Sequence, residues 1–206
     1  MGWFYWARYS SLENEARADV EAIASGNVER LLVVLTPEER AAGINAGQLR
    51  SIYDLALKEH LKKITSKGAI LSEITDPSRS SAAAKQLVRL ANGRTGELVF
   101  QVYQTEDGPK NSVAFNLLSL GWQIEYQAKP GYIPHNLDSI RATLAGIQED
   151  RSKLETAGIK GFYLGPSRGF VTWDQCQSLA QGNLARMSGK PGGQLAVDET
   201  GGGARS

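Results

Sequence analysis

The chain is poor in the residues that build metal centres and disulfides. Its 206 residues include one cysteine, Cys176, and two histidines, His60 and His135. One cysteine excludes an intrachain disulfide framework and any cysteine-cluster zinc site. The histidines are far apart in sequence, and neither HxxxH nor CxxC spacing occurs, so no metal and no cofactor is implied. Charge of one sign is also lacking: 23 Lys and Arg stand against 22 Asp and Glu. The balance holds along the chain, with 15 basic and 15 acidic residues in 1–130 and 8 against 7 in 131–206. With no basic field, sequence-independent nucleic-acid binding is disfavoured. No apolar run approaches the roughly 20 residues of a membrane-spanning helix. The glycines between Gly161 and Gly169 match neither GxxxxGK[ST] nor GxGxxG, which sets aside a phosphate-binding loop.

What remains is a globular composition, 41% hydrophobic and 22% charged. The length suits one ordinary domain plus an extension, or two small units. The middle of the chain, Lys85 to Tyr126, reads as a series of strands. Leu98, Phe100 and Val102 alternate with Val99, Gln101 and Tyr103. Val113, Phe115 and Leu117 alternate with Ala114, Asn116 and Leu118, and Trp122, Ile124 and Tyr126 with Gln123, Glu125 and Gln127. Asn92-Gly93 and Asp107-Gly108 supply the tight connections, which require antiparallel pairing. Ala69–Thr75 reads as an edge strand.

Helices precede this sheet. Ser11–Ser25 has Ser11 as N-cap and an apolar stripe of Leu12, Ala16, Val20 and Ile23. Val28–Leu35 is a short helix. Thr36-Pro37-Glu38-Glu39 is a capping box with proline at the first helical position. Asn45–Ile64 is the longest early helix, and its stripe runs through Leu49, Ile52, Tyr53, Ala56, Leu57, His60 and Ile64.

After the sheet, 131–187 reads as helix, hairpin, helix. Asn136 caps a helix to about Ala157. Ile159–Leu164 and Gly169–Thr172 flank a turn, and Thr172 with Gln175 opens the last helix. Phe162, Phe170 and Trp173 are its expected core. Tyr163 and Arg168 at the hairpin tip are the expected partner-binding residues. Cys176 lies on an apolar helix face, where cysteine acts as a small buried hydrophobe. From 188 onward the composition is that of a disordered tail.

The opening Met1-Gly2-Trp3-Phe4-Tyr5-Trp6 has two readings. Its aromatics cover one end of the sheet, or they mark the exit end of a membrane anchor lying upstream, since Trp and Tyr concentrate at membrane interfaces. The second makes the chain membrane-tethered and extracytoplasmic.

The segment Ala22-Ile23-Ala24-Ser25-Gly26-Asn27-Val28-Glu29-Arg30-Leu31, then Leu35-Thr36-Pro37-Glu38, and the closing Leu120-Gly121-Trp122-Gln123-Ile124 carry a likeness. Over about residues 10–128 the chain resembles the nuclear-transport-factor-two-like, cystatin-like superfamily of α+β cones. The resemblance implies an α+β fold in which N-terminal helices pack on a curved antiparallel sheet. It also implies an open cone between the long helix and the sheet, where members bind small molecules and a minority catalyse reactions such as ketosteroid isomerisation.

Tyr53, His60, Gln101, Tyr103 and Asn116 are the expected ligand-binding groups. No catalytic residue is assigned, because no Asp or Glu stands on an inward face; Glu97 and Glu125 read as solvent-facing. The expected organisation is an aromatic segment 1–10, a cone-like domain 11–130, a helix-hairpin-helix extension 131–187 and a tail 188–206. The first functional expectation is a non-enzymatic domain binding a small apolar ligand or a protein partner. The alternatives are an isomerase- or hydratase-type enzyme with its pocket between long helix and sheet, and a structural module that homodimerises through its sheet.

Overall fold

A computed structural model describes residues 2–76, 81–164 and 168–188; for residues 2–11 and 76 it describes the backbone alone. The expected loop through Pro77–Ser80, the hairpin tip Gly165–Ser167, the aromatic side chains of Trp3–Trp6 and the tail beyond Ser188 lie outside the described residues. The chain is mixed helix and sheet, with a four-stranded antiparallel sheet in the order β1–β2–β3–β4.

Helix α1, Gly2–Ser25, starts well before Ser11, so Ser11 is an interior residue and not a cap. Its stripe Leu12, Ala16, Val20 and Ile23 is buried, and the helix lies across β1, β2 and β3. Gly26, at φ +76°, ends it in the left-handed conformation that glycine adopts without strain. A 3₁₀ segment, Val28–Val34, follows. Helix α2, Pro37–Ala41, has the expected capping box: Thr36 Oγ1 accepts from the Glu39 N–H and Glu39 Oε2 from the Thr36 N–H.

The single helix expected over Asn45–Ile64 is divided. Helix α3 is Ala46–Ala56, α4 is Lys58–Leu61, and Ile64 already belongs to a strand. That strand, β1 (Ile64–Asp76), is the expected edge strand made longer at both ends. It pairs with β2 (Ser81–Leu90) through a register that shifts between Ile64 and Ser66, Lys67 and Ile70, and Ile74 and Asp76. Such bulges disfavour edge-to-edge pairing. Arg17 of α1 holds β1, donating to the Ile70 carbonyl at 2.8 Å and the Ser72 hydroxyl at 3.1 Å. Strand β3 (Thr95–Thr105) buries Leu98, Phe100 and Val102 as expected. Strand β4 is only Gly108–Lys110.

The principal correction follows β4. The residues expected to form two strands, Val113–Leu118 and Trp122–Gln127, form one helix, α5 (Val113–Ala128). Its buried residues, Val113, Ala114, Leu117, Leu118, Leu120, Gly121, Trp122 and Ile124, cover most of its circumference. A helix that is apolar nearly all round is packed on several sides; α5 touches α3, α4, α6 and β3. Gly121 stands inside this helix. A Cβ there would stand 2.2 Å from the Ala56 carbonyl oxygen, so this glycine lets α5 approach α3.

Helix α6, Asp138–Thr156, begins two residues after Asn136, which does not cap it. Instead the Asp138 carboxylate accepts from the Tyr132 hydroxyl at 2.6 Å and the His135 N–H at 2.7 Å. A Cβ on Gly146 would lie 2.0 Å from Cγ of Trp122, whose indole N–H donates to the buried Asp150 at 2.7 Å. The hairpin β5 (Gly161–Tyr163) and β6 (Phe170–Thr172) and helix α7 (Trp173–Met187) complete the fold. Phe162 packs on Trp173 and on Phe115 of α5, each at 5.2 Å between centroids. Phe170, expected in this core, is 41% exposed. Among the described residues no helix is long and apolar enough to cross a membrane.

The two close helix contacts make a prediction. Gly146→Ala places a methyl in a rigid indole, and Gly121→Ala places one against a carbonyl. Each should lower stability by about 1–3 kcal/mol in urea unfolding. Unchanged midpoints in both variants would show that α5 does not pack as described.

Candidate functional site

Two features fix α5 beside the sheet. The first is the buried Glu39 carboxylate. One oxygen caps α2 through Thr36, and the other accepts the Ala114 N–H in the first turn of α5 at 3.0 Å. Burial pushes its pKa up to about 7, against the lowering effect of the Ala114, Thr36 and Val113 amides. The second is the seam between β4 and α5. The Asn111 N–H donates to Val34 at 2.7 Å, Lys110 Nζ donates to the Val33 carbonyl at 3.2 Å, and the Asn111 amide donates to the Gln101 carbonyl of β3. Asn116 Nδ2 in turn donates to Asn111 Oδ1 at 2.7 Å.

Strand β4 covers only Tyr103–Thr105 of its neighbour. The rest of that edge of β3 faces α5, and between them lies a cleft of about 360 Å³. Thr95, Gly96, Glu97 and Val99 form one wall. Asn116, Ser119, Leu120, Gln123 and Gln127 form the other, and Tyr132 and Pro134 close one side. The α5 residues recur at three- and four-residue intervals, so one helix face supplies them all. At one end the Asn92 amide donates to the Gln127 carbonyl at 2.9 Å; at the other stands the Asn111–Asn116 pair. Glu97 is exposed, Gln123 Nε2 donates to Ser119 Oγ at 3.0 Å, and the Tyr132 hydroxyl is pushed up to about 12 by burial and its bond to Asp138. These groups can donate and accept hydrogen bonds.

The structure does not bring the five expected ligand residues together. Asn116 lines this cleft. Tyr53 is buried on α3, under Arg50 at 5.6 Å from its ring centroid. His60 is buried on α4, with Nδ1 3.0 Å from Glu125. Gln101 is exposed on the sheet and donates to Thr75 at 3.2 Å. The Tyr103 hydroxyl is buried without a partner among the described residues, and burial pushes it up to about 12. Space expected between the long helix and the sheet is occupied: Phe100, Leu98, Leu49, Ile52 and Leu57 belong to one buried apolar core. Tyr163, expected at the hairpin tip, is buried, whereas Arg168 is exposed at the mouth of a second cleft of about 330 Å³ between α5, α6 and α7. Cys176 lines that cleft, with burial pushing its thiol up to about 11.

Glu125, expected to face solvent, is half-buried. Partial burial acts to raise its pKa, but its bond to Lys63 and the Lys63 and His60 charges hold it below the usual value. Among the described residues three carboxylates are fully buried, at 0% exposure: Asp19, Glu39 and Asp150. Periodicity held a signal for two of them. Asp19 stands three residues after Ala16 and Asp150 three after Ile147, both on apolar stripes. Among the described residues the Asp19 oxygens accept no hydrogen bond, and Arg30 approaches only to 3.7 Å. Burial, then the neighbouring Glu15, pushes Asp19 up to about 8, with Arg30 acting against both. The cleft beside β3 and the role of α5 in it were not legible as a site.

No known protein family matches the chain, and no characterised protein or solved structure is detectably similar to it.

Asp19 gives a pH prediction. Its folded pKa is about 8 against an ordinary value of 3.8, so between these values the folded state binds more protons than the unfolded state. Stability contributed by the protonated form is full below about pH 4 and is lost as pH rises through 8. Asp19→Asn should therefore stabilise the protein by a few kcal/mol at pH 8 relative to its effect at pH 4. Thermal unfolding at the two pH values checks this. A variant effect independent of pH would contradict the assignment.

Proposed function

We propose that the chain is a non-enzymatic binding domain whose site is the cleft between β3 and α5. The observation that carries this is the lining. One helix face presents Asn116, Ser119, Gln123 and Gln127 across from a strand edge, with Glu97 exposed between them. Amides, hydroxyls and a carboxylate facing one cleft are groups that orient a bound molecule. The likeness to the nuclear-transport-factor-two-like superfamily belongs to this proposal. It is supported by the order of α1, 3₁₀ segment, α2 and α3 ahead of an antiparallel meander. The Gly121-Trp122 element that closes the resemblance is helical here. On this reading the sheet wraps on the N-terminal helices, and the α6–hairpin–α7 extension buttresses α5 through Trp122–Asp150 and Phe115–Phe162.

An isomerase-type reaction would require a base and an oxyanion donor in one dry pocket. His60 and Tyr53 do not line the cleft, and His60 is engaged with Glu125. That favours binding over catalysis.

The test is NMR shift mapping with a set of small polar molecules and short peptides. Binders should perturb the amides of Thr95, Glu97, Val99, Ser119 and Gln123. Gln123→Ala should weaken them at least fivefold while moving stability within about 0.5 kcal/mol, as surface changes do. Binders that all map to the cleft at Arg168 would sink the proposal.

A further inference from the structure

Backbone geometry says what the cleft is shaped to take. In an antiparallel strand the N–H and C=O of successive residues point to opposite edges. Pro109, which has no N–H, stands opposite Gln104, so the bonded rungs between β3 and β4 fall at Thr105 and Tyr103. The next outward-facing residue by this parity is Gln101, and its carbonyl does face outward: it accepts from the Asn111 side chain. Continuing by twos, the N–H and C=O of Val99 and Glu97 also point away from β2. Both residues line the cleft, and neither backbone is bonded to anything beyond its own sheet among the described residues. Asn111 thus supplies one side-chain rung where β4 leaves the sheet, and the ladder beyond it is open. The open stretch, Thr95 to Val99, is about 17 Å long at 3.4 Å per residue.

We infer that an extended peptide segment of a partner protein binds between β3 and α5 by adding a strand to the open edge of β3 in the row that β4 begins. This deepens the binding-domain reading and rests on it. Strand addition takes affinity from main-chain hydrogen bonds and specificity from side chains at alternate positions. Here Glu97 and Val99 expose their side chains on the outer face of the sheet. The peptide residue opposite Glu97 should be basic and the one opposite Val99 apolar, because cross-strand neighbours on one face pair by charge and by apolar contact. Gln127 already reaches β3, its amide oxygen 3.2 Å from where a Cβ on Gly96 would stand, so it bounds one end of the open edge; the Gln123 amide faces the far edge of the added strand and can bond its outward groups.

The probe is a linear heptapeptide selected from a phage-displayed random library against the full chain. The expected peptide carries Lys or Arg and slows hydrogen exchange of the Glu97 and Val99 amides at least tenfold. Methylating its backbone nitrogens one at a time should abolish binding at every second position. Val99→Pro removes one outward N–H at an edge position, where proline is compatible with a sheet, and should weaken binding at least tenfold; Glu97→Lys should lose the basic preference. If Val99→Pro fails to fold, the N-methyl series alone decides. A peptide that needs Gln123 but is indifferent to backbone methylation overturns strand addition and leaves the cleft as the binding site. Failure to select any peptide overturns strand addition too. Glu97 and Val99 amides already protected in the free chain, and released by removing residues 189–206, would show that the chain fills its own edge, which overturns the partner.

Discussion

The fold depends on a carboxylate that two helices share. Glu39 sits 75 residues from Ala114 in sequence, yet its two oxygens serve the first turn of α2 and the first turn of α5. Both helix starts carry amides with no partner inside their own helix, and both are buried here, where an unmet donor is costly. Above about pH 7, where Glu39 is ionised, a hydrogen bond to its charged carboxylate contributes about 1.5–3 kcal/mol. Removing Glu39 would strip both helix starts together. The same region supplies partners for the end of the 3₁₀ segment, whose carbonyls accept from Arg40, Lys110 and Asn111. The N-terminal helices and the departure of the chain from β4 are therefore one polar junction in an apolar surround.

From that junction the position of α5 follows. Its N-terminus is fixed at Glu39, Gly121 lets its middle lie on α3, and Trp122 locks it to α6 through Gly146 and Asp150. Its remaining face can only run along β3. Because β4 is short, the strand edge opposite that face stays open. The cleft is a consequence of how three contacts hold one helix. It lies outside the sheet, whereas a cone-type pocket would lie beneath it, where Phe100 and its neighbours fill the core.

The N-terminal half was largely legible in the sequence. The capping box at Thr36 and Glu39, the stripe of α1, and the alternation in β3 each rest on local chemistry that the fold retains. The helix α5 was not legible. Trp122, Ile124 and Tyr126 alternate as in a strand, while Val113, Leu117, Leu120 and Ile124 recur as in a helix. A helix buried on several sides shows both periods at once. Gly121 was legible only as part of the closing Gly-Trp pair, because its reason for being glycine, the carbonyl of Ala56, is 65 residues away in sequence. Glu39 was visible as a cap for its own helix but not for a second one. The candidate site was missed for the same cause: Asn116 was found, but as a strand residue, and the rest of its helix face was divided between two supposed strands.

The most direct test of this account is amide hydrogen exchange in Glu39→Ala. The account predicts that the Thr36 and Ala114 amides exchange at least tenfold faster than in the parent chain, more than amides in the middle of β2, because both lose their acceptor while the sheet keeps its own bonds. Exchange at Ala114 unchanged from the parent chain would contradict it, since α5 would then be held in place without the buried carboxylate.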